Sequence, residues 1–355
     1  MSAADAITRI GQLRQQLRDL GAKPGHEGRI LRAWGQGLAL DTLTPPPAHA
    51  FPRPLREALP PLQQQLTALA RVRSEHPSDD GSARLLVELA DSQTIESVLL
   101  AKDGLCVSSQ VGCAVGCLFC MTGRDGLLRQ LGSAEIVAQV VLARQRRAVK
   151  KVVFMGMGEP AHNLDNVLEA IEFLGIEGGI GHKNLVFSTV GDRRVFERLP
   201  LGAVKPALAL SLHSTRPETR RQLLPKAPPI DPAELVDLAE TYARATGYPI
   251  QYQWTLIEGV NDSEEEADGI VRLLAGKYAI MNMIPYNTVD GLDYRRPSWE
   301  HATAMARGLR QRGILTTLRN SAGQDIDGGC GQLRARLAAP ASVRGGGLDG
   351  SQQAG

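Results

Sequence analysis

The chain has 355 residues, 43% of them hydrophobic, with 40 Lys and Arg against 38 Asp and Glu for a net charge of +2. That length implies about two domains or one large barrel with an appendage, the apolar content excludes disorder throughout, and the charge total implies no polyanion partner by itself. No apolar run reaches the roughly 18 residues of a spanning helix and the first twenty residues lack a signal peptide's apolar core, so the expectation is a cytoplasmic protein with no membrane association.

In chain order, the stretch to about residue 75 is expected to be helical. Ile7, Ile10, Leu13, Leu17 and Leu20 recur at helical spacing, and Gly21 is placed to end that helix. Prolines 45, 46, 47, 52 and 54 break it, and a second helical segment is expected around 62–72. The runs ARLLVEL (83–89) and TIESVLL (94–100), joined by a short polar linker, predict a β-hairpin. From Leu105 a rhythm of apolar strand, polar strand end and amphipathic helix sets in, with strands expected at 105–109, 151–156, 185–189, 207–212, 250–257 and 279–284, and a last one at 314–319.

The intervening helices carry end signals. Asp231-Pro232-Ala233-Glu234 supplies an N-cap, a first-turn proline and a capping-box Glu, Gly247 follows the last turn, and Ser133 is expected to cap the helix that bears Ile136, Val137, Val140 and Val141. Six strand–helix units with apolar strands imply a parallel sheet covered by helices, curled into a partial (β/α)6 barrel of the α/β class. The expected division is a small N-terminal helical accessory domain (1–75), a β-hairpin extension (76–104), a barrel with a C-terminal loop (105–340) and a disordered Gly- and Ser-rich tail (341–355). In such barrels the reactive groups sit at the carboxyl ends of the strands. Those ends hold Cys113 to Cys120, then Gly158-Glu159-Pro160, Ser188, Ser211-Leu212-His213 and Asn287.

Positive charge is concentrated in two blocks. Residues 124–151 hold seven basic and two acidic side chains and residues 295–336 hold eight and three, so each block carries +5 in a chain of net +2. Such blocks either track a phosphate backbone or are solvated helix faces.

The five cysteines are Cys106, Cys113, Cys117, Cys120 and Cys330, four of them within fifteen residues, which in a cytoplasmic chain favours a metal or redox site over disulfides. The spacing Cys113-x3-Cys117-x2-Cys120 offers three soft sulfur ligands and leaves one coordination position unfilled. A local zinc knuckle would need a fourth Cys or a His nearby, and no His occurs between His76 and His162. A 4Fe-4S cluster held by three cysteines instead leaves one iron for a ligand.

With an aromatic, Phe119, before its last cysteine, this motif resembles that of the radical S-adenosylmethionine (radical SAM) superfamily. The wider set CVSSQVGCAVGCLFCMTG, FMGMGEP (154–160), SLH (211–213), IPYN (284–287) and GQDIDGGCGQL (323–333) resembles the RlmN and Cfr family of RNA adenosine methyltransferases over about residues 83–336. That resemblance implies a barrel of the radical SAM type and one 4Fe-4S cluster on Cys113, Cys117 and Cys120. It also implies S-adenosylmethionine held by Gly158, Glu159, Ser188, Ser211, Leu212, His213 and Asn287. It further implies that Cys330 becomes S-methylated, that Cys106 is the resolving cysteine, and that Glu96 accepts a proton. The implied activity is methylation of an adenosine base carbon, C2 favoured and C8 possible, in ribosomal or transfer RNA. An electron donor such as flavodoxin or ferredoxin and a monomeric state go with it. Thr288, Gly328, Gly329, Met121 and Gln130 depart from the family's usual residues without removing a chemical group.

Chemistry agrees with that implication. Adenosine C2 and C8 are electrophilic amidine-type carbons that ordinary transfer from S-adenosylmethionine does not methylate. A route through a methyl carbon carried on Cys330 avoids the difficulty, and the crosslink it leaves is opened by Cys106. Glu96 shares strand parity with Val98 and Leu100, so apolar neighbours are expected to make it a stronger base. The competing assignments are an edge-strand charge for Glu96, a small buried hydrophobe for Cys330 and a cap or core residue for His213. At the level of function the alternatives are a radical SAM enzyme of the same fold acting on a protein or small molecule, and a non-catalytic RNA-binding protein with a structural metal site.

Overall fold

The computed structural model describes residues 7–43, 50–289 and 291–335. Prolines 45–47, Arg336 and the expected disordered tail lie outside them. The helices are α1 (Ile10–Asp19), α2 (Pro24–Gly35), α3 (Arg53–Ala68), α4 (Ser133–Arg144), α5 (Leu164–Ile176), α6 (Arg193–Arg198), α7 (Pro217–Leu223), α8 (Pro232–Thr246), α9 (Glu264–Leu274) and α10 (Trp299–Gln311). The strands are β1 (Ala70–Pro77), β2 (Ala83–Leu89), β3 (Thr94–Leu100), β4 (Gly104–Cys106), β5 (Gln110–Gly112), β6 (Leu127–Gln130), β7 (Lys151–Phe154), β8 (Leu185–Thr189), β9 (Ala207–Ser211), β10 (Ile250–Leu256), β11 (Ala279–Pro285) and β12 (Thr316–Leu318).

Ten strands form one sheet in the order β1-β2-β3-β4-β7-β8-β9-β10-β11-β12, and β5 and β6 make a separate antiparallel pair. From β4 to β12 every pairing is parallel, with helices crossing between strands, as the alternating apolar strands and amphipathic helices require. The expected hairpin is β2–β3, and it joins the parallel sheet through the antiparallel pair β3–β4. The expected last strand at 314–319 is β12, the seventh parallel strand, and it is an edge: the sheet is not closed back onto β4.

Three local expectations need correction. Helix does not run to residue 75: it ends at Ala68, and residues 70–77 are β1, paired antiparallel with β2, so the N-terminal segment supplies an edge strand of the main sheet. The segment expected at 62–72 is the second half of α3, which starts at Arg53 and contains Pro60 and Pro61. Both prolines are exposed, so the carbonyls they leave unbonded face water. Ser133 is the first residue of α4 rather than its cap. Gly132 takes the cap position, with its N–H donating to Glu135 at 2.8 Å, while Ser133 Oγ accepts the Ile10 N–H at 2.8 Å and so docks α1 on the barrel. Asp231 caps α8 as expected through a 2.8 Å bond from Ala233 N–H, and Gly247 ends it in the left-handed conformation at φ 73°.

The N-terminal helices share one apolar core with the barrel. Leu13, Leu17, Ile30 and Leu31 are fully buried, in the same cluster as Val152, Phe187, Leu210 and Trp254. Burial of each such leucine contributes about 1.5–3 kcal/mol, so these helices are fastened to the outer layer of the barrel.

Candidate active site

The cysteine loop spans from β5 to β6. Its ends are drawn together by Cys113 N–H donating to Gly126 O at 3.0 Å, and Cys120 N–H closes a turn on Cys117 O at 3.0 Å. All three thiols line one cavity of about 150 Å3 on the side of the strand carboxyl ends. Burial pushes the Cys113 thiol up to about 12 and raises Cys117 and Cys120, with the neighbouring thiols adding to the rise at Cys117. Such sulfurs ionise only when a cation replaces their protons. Among the described residues no three ligand side chains are already gathered into a closed metal set. Even so, three soft sulfurs in one buried cavity fit an iron–sulfur cluster better than a hard cation. The Arg220 guanidinium lies close enough to Cys117 and Glu159 to interact electrostatically with both; burial pushes it down to about 10, and its Nε has no hydrogen-bond partner among the described residues. Sequence reasoning missed Arg220, which no motif marks within PETRRQL.

The expected strand-end residues converge on the same cavity. Gly158, Glu159, Ser188, Ser211 and His213 all line it. Gly158 stands at φ 105°, and a Cβ there would lie 2.6 Å from the Gln110 side chain, whose Oε1 accepts the Glu159 N–H at 2.7 Å. Glu159 accepts the N–H groups of Ala161 and Val190, each at 3.0 Å, while burial still pushes its carboxyl up to about 7. His213 is a left-handed non-glycine residue at φ 59°, held edge-on to Phe119 with ring centroids 4.8 Å apart. Its Nδ1 accepts the Thr255 N–H at 3.0 Å, and burial, helped by the Arg220 charge, pushes it down to about 3. The ring is therefore neutral, with its proton on Nε2.

Because the folded state holds His213 unprotonated, the unfolded chain binds more protons below the ordinary histidine range, and stability from this group falls as pH drops from about 6.5 toward 3. Glu159, raised, contributes in the opposite direction. The two separate in a comparison of variants: between pH 7 and pH 5, wild type should lose about 2 kcal/mol relative to His213→Gln, measured by denaturant unfolding of the metal-free protein.

A second cavity of about 200 Å3 adjoins the first and is lined by Cys106 and Cys330, with Cys330 and Cys120 common to both. Cys106 is buried on β4, where burial first and the Cys330 sulfur second push its thiol up to about 12, and Cys330 is exposed. The Cys330 loop is pinned from two sides. Met121 N–H donates to Gly331 O at 2.7 Å and Thr122 Oγ1 to Leu333 O at 2.7 Å, tying it to the cysteine loop. Gly331, at φ 84°, allows this approach, since a Cβ would lie 2.8 Å from Phe119 O.

Three expected site residues are placed elsewhere. Asn287 lines neither cavity: its Nδ2 donates to Cys330 O and Ser321 Oγ, both at 2.9 Å, so it holds the loop backbone. Leu212 is fully buried outside both cavities, and its N–H is spent on Gln253 O at 3.1 Å. Glu96 does share the face of Val98 and Leu100, which line the second cavity, yet its own surroundings are polar. It is paired with Arg84 and accepts the N–H groups of Arg334 at 2.7 Å and Ala335 at 2.9 Å, while Arg84 Nε donates to Ile326 O at 2.6 Å. The hairpin residues Arg84 and Glu96 thus clamp the segments on either side of Cys330. Their side chains are 10% and 2% exposed, so Glu96→Ala strands a buried guanidinium. The expected cost is about 3–5 kcal/mol, read as a lowered Tm together with faster proteolysis of the 320–335 segment.

Most of the two basic blocks is already engaged. In the first, Arg144 donates to the carbonyls of Gly35 and Gly178, Arg146 pairs with Glu75, Arg147 donates to Gly81 O, and Arg129 bridges Asp91 and Glu135. In the second, Arg295 pairs with Glu258, Arg312 with Glu264 and Asp268, and Arg334 with Asp125. These arginines brace the fold, and the net charge of each block does not mark a free cationic face.

Residues 107–269 match the Radical SAM superfamily. The chain is 74% identical to a probable RNA methyltransferase of Aromatoleum aromaticum, with 94% of each chain covered, and 71% identical to one from Leptothrix cholodnii, covering 95% of this chain and 97% of that one. A crystal structure of a radical SAM methyltransferase from Sphaerobacter thermophilus superposes with a TM-score of 0.81 at 33% identity, covering 93% of this chain and 99% of the other. The barrel, the cysteine loop at its carboxyl-end mouth and this relatedness along nearly the whole length lead to one conclusion: the chain belongs to the radical SAM family of RNA methyltransferases.

Proposed function

We propose that this radical SAM RNA methyltransferase methylates a base carbon of an adenosine, C2 in preference to C8, in ribosomal or transfer RNA, with Cys330 as methyl carrier and Cys106 as resolving thiol. The observation that carries this reading is the pair of adjoining cavities, with Cys330 lining both and Cys106 facing the second. Cys113, Cys117 and Cys120 would hold a 4Fe-4S cluster, and Glu159, Ser188, Ser211 and His213 line the space for S-adenosylmethionine beside it. When bound, the cluster supplies the electron that cleaves S-adenosylmethionine to a radical able to take hydrogen from a methyl group.

The protein's own groups do the rest. The Cys330 sulfur, giving up its proton, takes a methyl group from one S-adenosylmethionine, which leaves as S-adenosylhomocysteine, and presents it toward both cavities. Neutral His213 offers an Nε2–H donor without adding positive charge beside a sulfonium. For the carrier carbon to join the base, the ring carbon gives up its hydrogen as a proton and the adduct gives up one electron, which the cluster held by Cys113, Cys117 and Cys120 would take back; the Cys106 sulfur then attacks the Cys330 sulfur and the sulfur–carbon bond breaks. Its electron pair stays on carbon, which takes a proton, and a Cys106–Cys330 disulfide remains for reduction. Asn287, Arg84 and Glu96 act as positioning residues that hold the Cys330 loop between the cavities. In this reading Glu96 keeps a clamp role and not that of proton acceptor, because both its oxygens are engaged.

The test is nucleoside mass spectrometry of ribosomal and transfer RNA from a strain deleted for the gene, with and without a plasmid copy. Loss and restoration of one carbon-methylated adenosine is expected. An unchanged methyl profile alongside active cleavage of S-adenosylmethionine would favour a protein or small-molecule substrate instead.

A further inference from the structure

Each basic block contributes one cation to the second cavity. Lys151 begins β7 and shares its inward parity with Val153 and Met155, and Arg319 directly follows β12, with its backbone N–H on Met283 O at 3.1 Å. Both line the cavity that holds Cys106 and Cys330, and among the described residues no acidic side chain lines it. Their neighbours are spoken for: Lys150 pairs with Asp103 at 2.9 Å and Arg296 donates to Asn320 at 2.6 Å. Lys151 and Arg319 have no carboxylate partner among the described residues. They are near enough for the Arg319 charge, after burial, to push Lys151 below the usual lysine range.

Holding two like charges together without a counter-ion costs free energy, and an anion entering between them recovers it. Val98 and Leu100 of β3, Cys106 of β4 and residues 319–322 after β12 all line this cavity, so it is bounded by elements from both sides of the seam that the sheet leaves unclosed. An anion between Lys151 and Arg319 would share one cavity with the Cys106 and Cys330 thiols. The same cavity is lined by the apolar side chains of Val98, Val153 and Met155, as the flat face of a base requires.

Building on the RNA reading above, we propose that Lys151 and Arg319 grip a backbone phosphate next to the target adenosine, so that the extruded nucleotide enters through the seam between β12 and β3–β4. Phosphate contacts of this kind position the chain and carry no base specificity. The sequence blocks thus point to RNA through one residue each, while most of the other described arginines in them are engaged within the fold.

The double variant Lys151→Ala/Arg319→Ala and the charge-preserving exchange Lys151→Arg/Arg319→Lys are compared with wild type as full-length, cluster-reconstituted protein. One probe is RNA extracted from a strain deleted for the gene, with methyl incorporation giving KM and kcat. The other is a fluorescein-labelled oligoadenylate, whose Kd is followed against salt. The alanine pair should raise KM for RNA at least tenfold with the larger share of the effect in KM. It should also reduce the slope of log Kd against log salt by about 0.7, the loss of one single-strand phosphate contact. The charge-preserving pair should stay within about threefold of wild type. Unchanged KM and salt slope in the alanine pair, a loss confined to kcat, or equal damage in the charge-preserving pair would overturn the proposal. If wild-type enzyme transfers no methyl group to that RNA, the RNA reading itself fails and takes this inference with it.

Discussion

Cys106→Ala protein isolated from cells should carry covalently bound RNA, and Cys330→Ala protein should carry none. Both lack turnover, a loss of more than about 1,000-fold, the scale at which removing a covalent catalytic group registers. They stop at different points. Without Cys330 there is no sulfur to receive the methyl carbon and no bond to the base forms. Without Cys106 the bond forms, but nothing in the second cavity attacks the Cys330 sulfur, because among the described residues Cys106 and Cys120 are the other cysteines that line it. Ribonuclease digestion followed by peptide mass spectrometry should find a nucleotide on the Cys330 peptide of Cys106→Ala alone. If both variants emerge free of RNA from a host containing the target, the carrier mechanism loses its support.

Alanine at Cys113, Cys117 or Cys120 should reduce iron from about four atoms per chain to below about one and abolish cleavage of S-adenosylmethionine, since two thiolates hold a cluster poorly. The burial that raises all three thiols makes the effect steep: with one ligand gone, the remaining pair reverts to protonated thiols at neutral pH. Iron analysis and the visible absorbance of anaerobically reconstituted protein check it. Four irons retained in any one variant would remove that cysteine from the ligand set.

Much of this architecture was legible in the sequence because the signals were local and periodic. The apolar runs at 185–189, 207–212 and 250–257 appear as β8, β9 and β10 within a residue or two, and Asp231 and Gly247 bound α8 as their chemistry demands. β1 was not legible. ARVRSEHP has the polar alternation of a half-exposed edge strand, and its identity depends on pairing with β2. α3 was masked by prolines that are harmless only because they face water.

At the site, Cys113, Cys117, Cys120, Gly158, Glu159, Ser188, Ser211 and His213, all marked by strand-end position in the sequence, line one cavity. Position along a strand does not say whether a side chain reaches that cavity. Asn287 bends back to the Cys330 carbonyl, Leu212 points into the core, and Glu96 is claimed by Arg84 and by the backbone of a segment more than 200 residues away. The arginine blocks show the same limit, since net charge along a chain is blind to carbonyls such as those of Gly35 and Gly178 that consume it.

The carrier role of Cys330 is tested most directly by following the methyl hydrogens. Enzyme given S-adenosylmethionine with a CD3 methyl group and RNA from the deletion strain should yield an adenosine whose new methyl group holds two deuterium atoms, because one leaves when the carrier becomes a radical and a solvent proton replaces it when Cys106 opens the bond. An intact CD3 group on the base, read by mass spectrometry of the isolated nucleoside, would contradict the account.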